Sequence, residues 1–285
     1  NSFERAGKVR MKTSLTITNA QFADIKQHLF PEDGCEAVSI LLCGRNIVND
    51  SCRLMVHKIF NIPYNKCSVR TPWRVKWRSD ILQPLLDEAT RNNLSIVKIH
   101  SHIDYEEFSE VDDESDKSLF PTFYVCADDY VNPHASVVMM QNGKMFGRVV
   151  NCDGLFSTLD YINVVGDDIG YWFKNEKPHN PAFAFRHQQL FGDKTINMLS
   201  KLKVAVVGCS GTGSPVIEQL ARLGVGELVL VDPDIIETKN LNRIINSTAN
   251  DVKNSVYKVV SLKRAIEAMG LGTKVTVFSS DIYVT

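Results

Sequence analysis

Residues 14–18 (SLTIT) alternate polar and apolar, a period of two that predicts a strand. Asn19 is placed to cap a helix through AQFADIKQHLF, and PEDG (residues 31–34) stops it. Two apolar runs, EAVSILLCG and CRLMVHKIFNI, predict strands. Over residues 79–93 the spacing of Ile81, Leu82, Leu85 and Leu86 predicts a helix opened by Ser79. LSIVKIHSH, TFYVCA, HASVVMM and MFGRVV then read as strands, the last two joined by the Asn-Gly turn of QNGK (residues 141–144). Periodicity fades over residues 151–182, which are expected to be a linker. Beyond it KLKVAVVG, SPVIEQLARLG, ELVLVD, VYKVVSLKRAIEAMG and KVTVFSS alternate strand and helix, the rhythm of a doubly wound parallel sheet. Gly224 and Gly270 stand where helix C-caps belong. The pattern predicts an α/β chain with a domain over residues 1–150, the junction, and a partial Rossmann-like sheet over residues 183–285.

Length and composition narrow the classes. A chain of 285 residues is enough for two cores. Lys and Arg (32) nearly cancel Asp and Glu (33), so no basic field exists to hold phosphate backbones, and nucleic acid is not an expected partner. No apolar run approaches the ~20 residues that span a bilayer, so no membrane partner is expected either. Seven cysteines, none spaced C-x-x-C and with no signal peptide before them, fit a reducing cytoplasm. Met11 is a candidate natural start, and residues 1–10 are treated as a candidate cloning scar.

Candidate chemistry begins at IHSHIDYEEFSEVDDESD (residues 99–116). On a strand, positions i and i+2 share a face, so His100 and His102 present two imidazoles to one point, and Asp112 can fold back as a third ligand. Such a set leaves one tetrahedral position open, as hydrolytic zinc requires. The alternative is a core strand that ends in histidines, followed by a solvated acidic run at a helix N-terminus. HSH, FSEVDDESD and the upstream EDGCEAVSILLCGR together resemble the JAB/MPN metalloprotease family in its prokaryotic form. The resemblance implies His100, His102 and Asp112 as Zn2+ ligands, Glu36 as general acid/base, and Ser109 as a group that holds the tetrahedral intermediate. Ile103 stands where that family has Pro, and the His102-to-Ser109 gap is one residue short. The family cleaves after the C-terminal glycine of ubiquitin-like proteins, so such a tail is the implied partner.

The second constellation is VAVVGCSGTGSPVIEQLARLG (residues 204–224): a strand, a turn with Gly208, Gly211 and Gly213, and a helix. Small residues there let backbone N–H groups approach a phosphate. Asp232 ends the next strand, where a carboxylate accepts from ribose hydroxyls, and these features fit NAD or ATP equally. VDPDIIETKNLNRI (residues 231–244) resembles the E1-like activating enzymes related to ThiF and MoeB. That resemblance implies ATP with Mg2+, Asp232 on the ribose, Asn240, Arg243 and Lys258 along the phosphates, and Arg186 of FRHQQLFG reaching ATP across a homodimer. Lys253 competes with Lys258 for its place. The family's later Mg2+-binding Asp, C-x-x-C pairs and acceptor cysteine have no counterpart before residue 285, so this part reads as truncated. Cys209 is not expected to be a catalytic thiol, and His28, His57, His134, His179 and His187 are expected to be ordinary core or surface residues.

Both resemblances lead to one expectation: a zinc peptidase of the deubiquitinase kind joined to an E1-like adenylation module, in a bacterial ubiquitin-like conjugation pathway with an E2-like protein as a further partner. The rivals are a scaffold with both sites inactive and an NAD-dependent oxidoreductase with an unrelated front domain.

Overall fold

The structure, a computed structural model, describes residues 11–127, 130–173 and 181–284. The chain divides into two compact units, Asn1–Glu176 and Lys177–Thr285. Among the described residues no helix is long and apolar enough to cross a membrane.

In the first unit β1 (Lys12–Thr18) leads into α1 (Asn19–Leu29), followed by β2 (Val38–Val48), β3 (Ser51–Asn61), a small hairpin of β4 (Cys67–Thr71) and β5 (Arg74–Trp77), and α2 (Gln83–Arg91). Then come β6 (Ser95–His102), α3 (Glu110–Ala127), β7 (His134–Met140), β8 (Met145–Val150), β9 (Phe156–Thr158), β10 (Tyr161–Val165) and β11 (Gly170–Phe173). Nine strands form one mixed sheet in the order β11-β10-β1-β3-β2-β6-β7-β8-β9. One face packs Leu15, Ile17, Leu41, Val97, Ile99 and Val137 against Ile25 and Leu29 of α1. The other packs Val38, Ile40, Leu42 and Ile96 against Leu85 and Leu86 of α2 and Phe120 and Phe123 of α3.

β6 lies between β2 and β7, and all eight of its residues are buried. Because side chains alternate across a strand, Lys98, His100 and His102 share the face of Ile96, the face that α2 and α3 cover.

Four expectations are corrected. TFYVCA is the last third of α3, not a strand: Phe120, Phe123 and Tyr124 recur at helical spacing and are buried, and that period outweighs the β propensity of the aromatic run. The cap of α1 is Thr18, whose hydroxyl accepts from Gln21 N while the Gln21 side chain accepts from Thr18 N. Residues 79–82 form a 3-10 turn, and α2 starts only at Gln83 with Pro84 in its first turn, since a proline further inside would clash with the preceding turn. Residues 156–173 are not linker: β10 pairs in parallel with β1, from Ser14↔Tyr161 to Thr18↔Val165, β11 pairs with β10, and β9 pairs with β8. Strands of three to five residues separated by Gly and Asp turns are too short to show a period.

The second unit contains α4 (Phe185–Leu199), broken at Gly192, then β12 (Lys203–Val207), α5 (Gly213–Arg222), β13 (Glu227–Val231), α6 (Ala249–Lys253), α7 (Lys258–Ala268) and β14 (Lys274–Phe278). The strands form a parallel sheet in the order β12-β13-β14, as the alternating pattern predicts. Ile217, Ala221, Val259, Leu262 and Ile266 of α5 and α7 pack on Leu228, Leu230 and Val275. Gly224 and Gly270 take the left-handed conformation that ends a helix.

Phe120 is fully buried, its ring 5.2 Å from that of Phe123. Phe120→Ala is expected to cost about 3–5 kcal/mol in urea unfolding of the first unit. A loss below about 1 kcal/mol would contradict this packing of α3 on the sheet.

Candidate functional site

α3 begins at a reciprocal cap. Ser109 N donates to Asp112 Oδ2 (2.8 Å), Ser109 Oγ donates to the same oxygen (2.7 Å), and Asp112 N donates back to Ser109 Oγ (3.2 Å). This closure aims the Asp112 carboxylate at β6. Its Oδ1 lies 2.9 Å from His100 Nε2 and its Oδ2 lies 3.3 Å from His102 Nε2, while the two Nε2 atoms are 3.1 Å apart. The three expected ligands thus converge on one point, and each offers an atom within 4.8 Å of the others. His102 Nδ1 lies 2.8 Å from Tyr105 O, an acceptor that fixes the proton there and leaves Nε2 with its lone pair for a cation.

The electrostatics suit a cation. Burial lowers the His100 pKa and favours the neutral ring that a metal requires. Burial also lowers that of His102, but the Asp112 hydrogen bond and the Tyr105 carbonyl outweigh it and the net direction is up, so loading a metal there releases a proton. Asp112 is pushed up by burial, yet the hydrogen bonds from His100, His102 and Ser109 prevail and hold its carboxyl well below the usual range.

Glu36 precedes β2 and is 6% exposed. It lines one recess with Trp73, Lys98, His100, Ser109 and Asp112, and a second with Trp73, His102, Ile103 and Tyr105. Its backbone is fixed by the β4–β5 hairpin: Glu36 N donates to Thr71 O (2.9 Å), and Arg70 Nε donates to Glu36 O (3.0 Å). Arg70 is held in turn by Asp33 and lies over the Tyr64 ring at 4.1 Å. The Glu36 carboxyl itself meets no hydrogen-bond donor among the described residues. Burial therefore raises its pKa to about 7, opposed by the charges of His102 and Lys98 and reinforced by that of Asp112.

Arg70 and Lys98 belong to this neighbourhood and were not anticipated. For Lys98 a signal existed, a charge inside the otherwise apolar run SIVKI; for Arg70, on a short hairpin, none did. Ser109 is present, but its hydroxyl donates to Asp112 and acts as the cap of α3.

In the second unit the Gly-rich turn is set by a close approach. A Cβ on Gly213 would lie 1.8 Å from Gly208 O, so no larger residue fits there, and Gly208 holds a φ of 89°. Asp232 braces the turn, its Oδ2 accepting from Cys209 N (2.7 Å) and its Oδ1 from Asp234 N (3.0 Å). Lys258 Nζ lies 3.6 Å from Asp232 and 2.6 Å from Asp234, buried at the start of α7. Lys253 is exposed, so the structure brings Lys258 and not its competitor to Asp232. The stem of Arg243 packs on the turn, within 3.0 Å of where a Cβ on Gly211 would be. Asn240 is buried as a cap, its Oδ1 accepting from Glu237 N. Arg186 is exposed on α4. Cys209 is fully buried and its thiol is pushed up to about 12 by burial and the Asp232 charge, which keeps it protonated and unreactive.

The remaining histidines carry no such geometry. His28 stacks on Tyr64, His57 is exposed, His134 Nδ1 accepts from Ile96 N, and His187 is half-buried on α4, while His179 lies outside the described residues.

Residues 185–285 match the ThiF family. The SAMP-activating enzyme E1 of Haloferax volcanii is 50% identical over 50 residues, covering 18% of this chain and 18% of that protein. The tRNA threonylcarbamoyladenosine dehydratase of Escherichia coli is 32% identical over 97 residues, covering 34% and 35%. The crystal structure of that dehydratase in complex with AMP aligns with 29% identity and a TM-score of 0.32, covering 34% of this chain and 39% of that one. The chain thus spans about a third or less of the length of these curated relatives. The family match agrees with the E1-like resemblance of the Gly-rich turn and the segment that follows it. Residues 185–285 are a ThiF/MoeB-like, E1-like domain.

Proposed function

We propose that the first unit is a zinc peptidase of the JAB/MPN kind acting on the C-terminal tail of a ubiquitin-like protein, and that the E1-like domain binds ATP with Mg2+ for adenylation in the same bacterial conjugation pathway. The observation that carries the first half is the convergence of His100 Nε2, His102 Nε2 and the Asp112 carboxylate beside a buried Glu36 whose carboxyl meets no donor among the described residues. Two imidazoles and one carboxylate, with donor atoms about 3 Å apart and one imidazole oriented by a carbonyl, fit zinc. Bound there, zinc supplies a Lewis acid that acidifies a water and polarises the scissile carbonyl.

The protein's own groups account for the proton movements. Glu36 accepts the proton of the attacking water, and as the C–N bond breaks it delivers that proton to the leaving amine. A carboxyl near 7 serves both steps close to neutral pH. Pro72, Trp73, Ile103 and Tyr105 line the recess around His102 and Ser109, and Trp73 is 79% exposed, so an extended tail meets an apolar wall beside Glu36. Ser109 supports the intermediate indirectly, by holding Asp112. In the E1-like domain the turn at Gly208, Gly211 and Gly213 takes the phosphates together with Arg243, Lys258 and Asn240, Asp232 takes the ribose, and Arg186 is free to meet a nucleotide on a second copy. The family match supports this half. The substrate, an E2-like partner and the homodimer stand with this reading.

The peptidase is tested by zinc stoichiometry and by cleavage of a ubiquitin-like fusion. One zinc per chain is expected, with Glu36→Ala losing roughly 10²–10⁴-fold in rate while retaining metal, and His102→Ala losing both. A metal-free wild type, or undiminished cleavage by either variant, excludes it.

The Glu36 pKa also sets a stability prediction. Because the folded state raises it from 4.5 to about 7, the native protein binds more protons than the unfolded chain between those values, and stability falls as pH rises through this window. In chelator-treated protein Glu36→Gln is expected to melt several degrees above wild type at pH 8, equivalent to about 1–3 kcal/mol, with little difference at pH 4.5. Equal melting temperatures at pH 8 would contradict the desolvated carboxyl.

For the second domain, millimolar Mg-ATP is expected to raise the melting temperature of the wild type and not of Arg243→Ala, each compared with its own ATP-free baseline. No shift in wild type would favour the scaffold reading of this domain.

A further inference from the structure

One turn of α3 beyond Asp112, Asp116 is fully buried. Its Oδ1 forms an ion pair with Lys98 of β6, itself 3% exposed, and its Oδ2 accepts from Arg148 of β8 through Nη2 (2.6 Å) and Nε (3.1 Å). The Arg148 guanidinium lies over the rings of Phe108 at 3.8 Å and Phe156 at 3.6 Å, and pairs also with Asp113. Two buried cations and two carboxylates thus balance, and they tie one helix to two strands.

Affinity of the helix for the sheet does not require this network, because Phe120 and Phe123 already fasten α3 with apolar area. Buried ion pairs add little stability over apolar replacements of the same shape; what they specify is geometry. The geometry here is a ladder with two rungs. Lys98 and His100 are two residues apart on one face of β6, about 6.6 Å, and Asp116 and Asp112 are four residues apart on one face of α3, about 6 Å. The rung Lys98–Asp116 therefore sets the register of the rung His100–Asp112, whose oxygen and nitrogen stand 2.9 Å apart. Arg148 holds the other oxygen of Asp116 from β8 and stops the carboxylate from rotating away from Lys98.

We infer that Lys98, Asp116 and Arg148 are positioning residues that pin α3 on β6 so that Asp112 meets both histidines in the geometry of a metal ligand. The inference rests on the reading of His100, His102 and Asp112 as a zinc centre. Loss of the pin frees the first turn of α3 to shift, and the cost falls on metal geometry before it falls on folding.

Lys98→Met and the milder Lys98→Gln, each of which leaves the Asp116–Arg148 pair in place, test this in the full chain. Zinc affinity is measured by competition with a chelator, the visible absorption of the Co2+-loaded protein reports ligand geometry, and the melting temperature of the metal-free protein reports folding. In whichever variant melts within a few degrees of wild type, zinc affinity is expected to fall 10–100-fold and the cobalt bands to shift or weaken. Lys98→Arg, which retains the charge, is expected to recover most of both. A folded Lys98→Met or Lys98→Gln with wild-type zinc affinity and an unchanged cobalt spectrum overturns the inference and leaves the zinc centre standing. A wild type that binds neither metal overturns both.

Discussion

The first unit depends on the contact between the N-terminus of α3 and the far end of β6, where Asp112 reaches His100 and His102. Everything that makes the contact is local to one partner or the other: the Ser109 cap orients the carboxylate, and the alternation of β6 puts both rings on one face. What brings the partners together is the apolar seam of Phe120 and Phe123 against Ile40, Ile96 and their neighbours. A site of this kind is expensive in isolation, since three polar groups are withdrawn from water onto one point; it persists because each meets the others.

Much of this was legible in the residues. His100 and His102 stand at i and i+2 after an apolar run, and Ser109 and Asp112 stand at N-cap and N3 of an acidic helix start; both patterns are short-range and each maps onto one element. The βαβαβ order of the second unit was legible for the same reason, because each strand or helix is bounded by Gly or Asp and has its own period. Residues 122–127 misled because aromatic and β-branched residues on a buried helix face resemble a strand when read six at a time, and only the longer run from Phe120 shows the helical spacing. Residues 156–173 misled because their strand character comes from pairing with β1 and β8, partners distant in the chain, and not from any pattern of their own. Tyr105 enters the site through its own backbone carbonyl, a role of which the residue's identity carries no trace, and Arg70 enters by donating its guanidinium to the carbonyl of Glu36, a partner distant in the chain.

The second unit repeats the lesson in a different material. Its Gly-rich turn is shaped less by what the glycines contribute than by what they exclude: at Gly213 the space that a side chain needs is already filled by the Gly208 carbonyl. Asp232 then fastens the turn through the Cys209 N–H and its own loop through the Asp234 N–H, so the carboxylate at the end of β13 is a structural brace even before any ribose is considered. Lys258 sits against the same carboxylate, which places a buried cation beside the brace, while the stem of Arg243 packs on the turn itself.

Two carboxylates of the first site show how burial alone does not determine ionisation. Asp112 is partly buried beside two imidazoles and accepts from its own cap; Glu36 is buried with no donor at its carboxyl among the described residues. Both lose hydration, yet Asp112 has partners that favour the charged form, and Glu36 is left to move toward neutrality. The separation assigns their work. An acid locked in its charged form can hold a cation or a helix but cannot exchange a proton near pH 7, whereas one held near 7 can. The hairpin of β4 and β5 makes this possible by gripping Glu36 through its backbone, which fixes the residue in place and leaves its carboxyl free of the hydrogen bonds that would have pulled its pKa back down.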